Sequence, residues 1–199
     1  MTVIAVTGGF GTGKTTVACM FQVLGAEVID IDALVRELEQ LDQSAWKKIV
    51  KEFGSTVLKP DKTINRPALA SIVFSNQKLL QKLNAIVHPL VLAKMREQIS
   101  FLREKKPFLI VVDIPLLFEV QEQKQFDKIV VVKANDTMVQ ERIVKERQLS
   151  AIEINQRIHA QLPLEQKENQ ADFVIDNNNG LEKTREQVKS VFYVLKPKK

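Results

Sequence analysis

Cysteine is nearly absent. The 199 residues include one, Cys19, so no disulfide framework exists within the chain and a reducing compartment is expected. No stretch is long and apolar enough to span a bilayer. The first residues read as a strand rather than a signal peptide, so the expected location is the cytoplasm, with no membrane partner. Internal repeats, low-complexity tracts and Pro/Gly/Ser linkers are missing too, which leaves one domain with room for a small insertion. Charge of one sign is not concentrated. The net charge is +5, but lysines and arginines are spread along the chain, which argues against a nucleic-acid surface. At 45% hydrophobic and 27% charged residues, the chain can bury a sizeable core.

What is present centres on residues 7–16, Thr7-Gly8-Gly9-Phe10-Gly11-Thr12-Gly13-Lys14-Thr15-Thr16. They fit G-x-x-x-x-G-K-[ST]. Glycines let successive backbone N–H groups turn toward phosphate oxygens without a Cβ in the way. A helix starting at the end of the loop aims its positive end at the same anion. Gly9, Gly11, Thr12, Gly13 and Thr16 are thus candidate ATP-binding residues. Lys14 would reach the β- and γ-phosphates, and the Thr15 hydroxyl would ligate Mg²⁺. A chance match arises roughly once in 150 chains of this length, and the context is the required one. Thr2–Val6 is a short β-branched apolar run, and Thr15–Leu24 has helical spacing ended by Gly25. The bland alternative is a glycine-rich connector with no ligand.

The rest of the chain alternates in the same way. Strands are expected at 27–32, 108–113, 128–132 and 173–176, with helices between them. Five short strands separated by helices mean a parallel sheet with helices on both faces, an α/β P-loop NTPase core. Residues 44–104 hold helices and no strand, a helical insertion beside the sheet. Within it Ser44 and Asn76 are expected helix caps, 58–63 a turn, and Pro89 a junction between two helices. Ser150 is expected to open a late helix that Pro163 breaks.

Ligands in such folds bind at the carboxyl ends of strands. Those ends carry the glycine loop, Asp30, Asp32, Asp113 and Asn177. Strand alternation puts Asp30 and Asp32 on one side. Asp32 is a candidate base for an acceptor hydroxyl or, equally, the N-cap of the next helix, and the two roles are compatible. Asp113 could hold Mg²⁺ through water or serve as a capping acid. Arg142 and Arg147 could neutralise charge on a transferring phosphoryl group, or be solvated helix-end residues. His88, between Val87 and Pro89, reads as a packed histidine, and Phe118 and Trp46 as core. The guanine-reading and switch segments of a GTPase are absent, as is a transporter-ATPase signature.

Together these residues resemble the dephospho-CoA kinase family over nearly the whole chain. The resemblance includes the glycine loop, Val28-Ile29-Asp30-x-Asp32, Phe53-Gly54, Arg66-x-x-Leu69 with Phe74, and Leu83-Asn84-x-Ile86-Val87-His88-Pro89. It continues in Asp113-x-Pro115-Leu116-Leu117-Phe118-Glu119, in Gln161 with Pro163 and Lys167, and in Ala171-Asp172-x-x-Ile175-Asp176-Asn177. It implies ATP-dependent phosphorylation of the ribose 3′-hydroxyl of dephospho-CoA, with Mg²⁺, in a chain expected to be a monomer. It implies a nucleotide core at about 1–43, 105–140 and 171–199, a helical substrate-binding part at about 44–104, and a small helical lid at about 141–170. It makes Asp32 the general base and gives Arg66, His88, Leu116, Phe118 and Glu119 to the acceptor site. Asn177 would border the adenine of ATP. The family commonly has Ile at position 10, Asp-Gly at 61–62, and two lid arginines four residues apart. Here Glu146 follows Arg142 at that spacing and the arginine is Arg147, a shift that rotates the side chain by about 100°. Arg142 or Arg147 would therefore serve as the clamp. The rival readings are a kinase for another small acceptor, and a nucleotide switch without transfer.

Overall fold

The computed structural model describes residues 1–135, 137–139, 143, 158 and 161–196. Its strands are β1 (Thr2–Gly8), β2 (Glu27–Asp30), β3 (Leu109–Asp113), β4 (Lys128–Lys133) and β5 (Phe173–Asp176). All pairs are parallel and the order is β2-β3-β1-β4-β5. The helices are α1 (Lys14–Val23), α2 (Ile31–Leu38), α3 (Ser44–Phe53), α4 (Arg66–Phe74), α5 (Gln77–Glu104), α6 (Leu164–Glu168) and α7 (Leu181–Leu195). The chain divides into two compact units, Met1–Asp30 with Ile99–Lys199, and Ile31–Gln98.

The first unit is the sheet with helices on both faces. The strands are apolar at almost every position because both faces are covered. Ile4, Val6, Val111, Val130 and Val132 pack with Val17 and Phe21 of α1 and with Val188 and Phe192 of α7. The alternate residues Val3, Ala5, Ile110, Val112 and Val131 are equally buried. Burying a side chain such as Phe21 stabilises the fold by about 1.5–3 kcal/mol. The register aligns Asp113 with Val6 on one side and with Asp30 on the other. One edge of the sheet therefore gathers the glycine loop, two acids and Asn177, as the sequence led us to expect.

The second unit is helical. Ala45 and Ile49 of α3, Val57, Ile64, and Leu69 and Val73 of α4 form its core, with Leu83, Ile86, Val87 and Leu90 of α5 packed against them. This packing corrects the reading of Pro89, which is not a junction. It lies inside one continuous 28-residue helix, α5. A proline removes one backbone donor and crowds the preceding turn. The apolar stripe from Leu79 to Leu90, buried in this core, outweighs that local penalty. Asn76 does cap α5, accepting from the N–H groups of Lys78 and Leu79 at 3.0 and 3.4 Å. Ser44 does not cap α3. Gln43 holds the cap position, with no side-chain bond, and Ser44 is the first helical residue.

The 58–63 turn is present, closed by a bridge between Leu58 and Ile64. Asp61 Oδ1 accepts from Thr63 N–H at 2.9 Å and from Thr63 Oγ1 at 2.6 Å. Lys62 sits at φ 65 in the left-handed region. Trp46 Nε1 donates to its carbonyl at 2.9 Å, which pins the turn to α3. A side chain in that conformation is strained by about 1 kcal/mol. Lys62→Gly is therefore expected to raise unfolding free energy by roughly 0.5–1 kcal/mol, less any entropy gained by the unfolded chain. Urea titration would read this; an unchanged or lower midpoint would show that the strain is already relieved.

Candidate active site

The glycine loop is built by steric need. A Cβ on Gly8 would lie 2.2 Å from the carbonyl oxygen of Val132 on β4. Gly11 has φ 74, and its Cβ would lie 2.6 Å from Ile143 Cδ1. Phe10 packs against the cluster of Ala134, Val139 and Ile143. Gly13, at φ 94, is the N-cap of α1, so the first turn of that helix faces the loop. Gly8→Ala meets a backbone atom at the last register pair of β1 and β4 and cannot be relieved by a rotamer change. It is expected to destabilise the fold by about 1–3 kcal/mol, as overpacking does, and to weaken nucleotide binding. A melting temperature and nucleotide affinity equal to wild type would refute the steric argument.

Inside the loop, Gly9 O accepts from Lys14 Nζ at 2.7 Å, from Thr12 Oγ1 at 3.1 Å and from Thr12 N–H at 3.5 Å. Lys14 is buried and Thr12 nearly completely so. Thr15 Oγ1 donates to Asp113 Oδ2 at 2.7 Å, joining the end of the loop to the end of β3. Thr16 is exposed. A hydroxyl and a carboxylate side by side are hard oxygen donors that fit Mg²⁺, which takes most of its coordination from phosphates and water. Among the described residues no group of three or more His, Cys, Asp or Glu could hold a metal on its own.

Asn177 lies behind the loop. It is buried, its Nδ2 donates to Thr12 O at 2.8 Å, and its Oδ1 accepts from Thr184 Oγ1 at 2.9 Å. It braces the loop against the start of α7. In the segment after β3, Pro115 O accepts a long 3.4 Å bond from Thr7 Oγ1. Phe118 is buried, in keeping with the core reading, and Leu116 is half-buried. Glu119 Oε1 pairs with Lys167 Nζ at 2.8 Å and accepts from Leu162 N–H at 2.9 Å. Glu119 Oε2 and Gln161 Oε1 are buried without a hydrogen-bond partner among the described residues. Composition and periodicity did not mark Lys167, because helix α6 is too short to show a pattern. Its place beside Pro163 and Gln161 in the family resemblance was the one available signal.

In the helical unit, the reading of Asp32 as a strand-end acid is corrected. Strand β2 ends at Asp30, and Asp32 is the second residue of α2. Strand alternation thus does not relate Asp30 to Asp32, and Asp32 lies within the first turn rather than at the N-cap. The reason is local. Ile31 and Leu34 are buried on one face of a helix that starts directly after the strand. A first-turn carboxylate faces the positive end of its helix. Arg66, the first residue of α4, reaches Glu39 Oε2 with Nε at 2.9 Å and Nη2 at 2.6 Å. His88 is half-buried on α5, and that burial holds its imidazole below the ordinary value, so it is neutral at pH 7. Arg142 and Arg147 lie outside the described residues, as does the cap expected at Ser150.

A family model described as dephospho-CoA kinase matches residues 2–183. The chain belongs to the dephospho-CoA kinase family. A dephospho-CoA kinase of Bacillus cereus is 39% identical over 189 residues, covering 95% of this chain and 94% of that protein. The crystal structure of TT1252 from Thermus thermophilus aligns with a TM-score of 0.84 and 31% identity, covering 98% of each chain. A dephospho-CoA kinase from Campylobacter jejuni aligns with a TM-score of 0.66 and 27% identity, covering 98% of this chain and 97% of that one. Membership makes the chain a phosphotransferase of the P-loop kinase class. Among the described residues, no helix is long and apolar enough to cross a membrane.

Proposed function

We propose that this chain transfers the γ-phosphoryl group of ATP to the ribose 3′-hydroxyl of dephospho-CoA, giving coenzyme A and ADP. The observation that carries the reading is the loop itself: buried Lys14 at its end, with Thr15 hydrogen-bonded to Asp113 across the strand ends. Loop amides and the start of α1 bind the phosphates, and Lys14 follows the γ-phosphoryl as its charge develops. Thr15 and Asp113, hydrogen-bonded to each other, would together hold Mg²⁺. Held there, the ion would supply positive charge against that developing on the phosphates.

Asp32 accepts the proton of the acceptor hydroxyl, a role supported by the family match and by its place in the first turn of α2. Arg66, His88 and the Leu116–Glu119 segment take the acceptor, and Arg142 or Arg147 clamps the phosphates. Asn177 supports nucleotide binding by holding Thr12. Residues of about 44–104 act as the substrate-binding part and about 141–170 as the lid, in a cytoplasmic monomer.

The test is ADP release from Mg²⁺-ATP with and without dephospho-CoA, alongside shikimate and nucleoside monophosphates as alternative acceptors. Strong stimulation by dephospho-CoA alone is expected. Stimulation by another acceptor instead, or nucleotide binding with no acceptor-dependent release, would overturn the assignment.

A further inference from the structure

Lysine ammonium groups take two consecutive carbonyl oxygens at the start of the glycine loop. Lys14 takes Gly9 O at 2.7 Å. Lys167, whose side chain is fully buried, makes a longer 3.5 Å contact with Gly8 O. The two carbonyls are thereby drawn away from the cradle, which leaves the following amide groups to face an anion. Lys167 does not act alone. Glu119, six residues beyond the end of β3, holds it at 2.8 Å, and the same carboxylate oxygen accepts from Leu162 N–H. On the next residue, Glu168 is paired at 3.2 Å with Lys133, the last residue of β4. Helix α6 is thus tied to the sheet edge on either side of the loop.

A buried ion pair is weak evidence for stability, because apolar residues of the same volume avoid the desolvation of both charges. A methionine could fill the space of Lys167. It could not hold the Gly8 carbonyl or place a positive charge under the phosphates. We propose that Lys167 is a positioning residue of the phosphate loop, orienting its first turn through Gly8 O while Glu119 fixes the ammonium. The proposal rests on the nucleotide reading of that loop, not on the identity of the acceptor.

The experiment measures Mg²⁺-ADP affinity by calorimetric titration, thermal stability, and kcat and KM for ATP and acceptor. It uses the full chain as wild type, Lys167→Met, and the double variant Lys167→Met/Glu119→Leu. Lys167→Met leaves the largely buried Glu119 carboxylate without its counter-charge and is expected to lower stability. The double variant removes both charges and is expected to recover that stability. In both variants ADP binding is expected to weaken by about tenfold or more, with KM for ATP rising likewise, since small misplacements of a phosphate cradle have large effects. A folded double variant that binds ADP as tightly as wild type would overturn the proposal and leave Lys167 a packing residue. If Lys167→Met does not fold, the double variant alone decides. Absence of dephospho-CoA stimulation in the wild type would count against the acceptor assignment only, because ADP titration does not involve it.

Discussion

Lys14→Met is expected to lower kcat/KM by about 10³-fold or more, the range seen when a cation on a transferring phosphoryl group is removed. The size of the effect follows from where the ammonium lies. Lys14 is buried at the start of α1, so its charge acts with little solvent screening. The loop is not expected to collapse with the substitution. Gly9 O, which Lys14 Nζ holds at 2.7 Å, also accepts from Thr12 Oγ1 at 3.1 Å. Thr12 in turn is held through its carbonyl by Asn177. The variant should therefore fold, with a melting temperature close to wild type, and lose transfer. Steady-state kinetics with saturating acceptor, with a melting curve on the same sample, would check it. Near-wild-type turnover would remove Lys14 from the mechanism.

Asp32→Asn is expected to lower kcat by about 10²–10⁴-fold, the range for loss of a general base, while Mg²⁺-ADP affinity stays unchanged. Asparagine keeps the shape of the side chain and removes its basicity. It also removes a first-turn negative charge from α2, a change worth about 0.3–1 kcal/mol of stability. Stability and turnover therefore separate by orders of magnitude. If kcat survives, Asp32 serves only to stabilise the start of α2, and the acceptor proton leaves by another route. If ADP affinity falls with kcat, the residue acts on the nucleotide rather than on the acceptor. Stopped ADP release and calorimetric titration distinguish these outcomes.

Much of the sheet was legible because its signals are short-range. A β-branched run, a glycine loop and a helical stripe follow one another within the first 25 residues, and the bounds of β1 and α1 were read from them to within two residues. The five strands and their parallel arrangement followed from the same alternation. Local ambiguity defeated the reading where two signals competed. Asp32 could end a strand or start a helix, and the buried positions of Ile31 and Leu34 decided for the helix. Pro89 looked like a break, and a core assembled from α3, α4 and α5 carried the helix through it.

The sequence by itself determined the fold class, the phosphate loop with Lys14 and Thr15, and the family to which the chain belongs. Each depends on residue types at fixed, short spacing. Only the tertiary structure decided what those residues touch. Thr15 meets Asp113 from 98 positions away, Asn177 meets Thr12 from 165, and Lys167 reaches Gly8 from 159. Partners at such separations are chosen by strand order and register, which place the ends of β1, β3, β4 and β5 side by side. No local propensity encodes that adjacency, because it follows from the burial of both faces of the sheet at once.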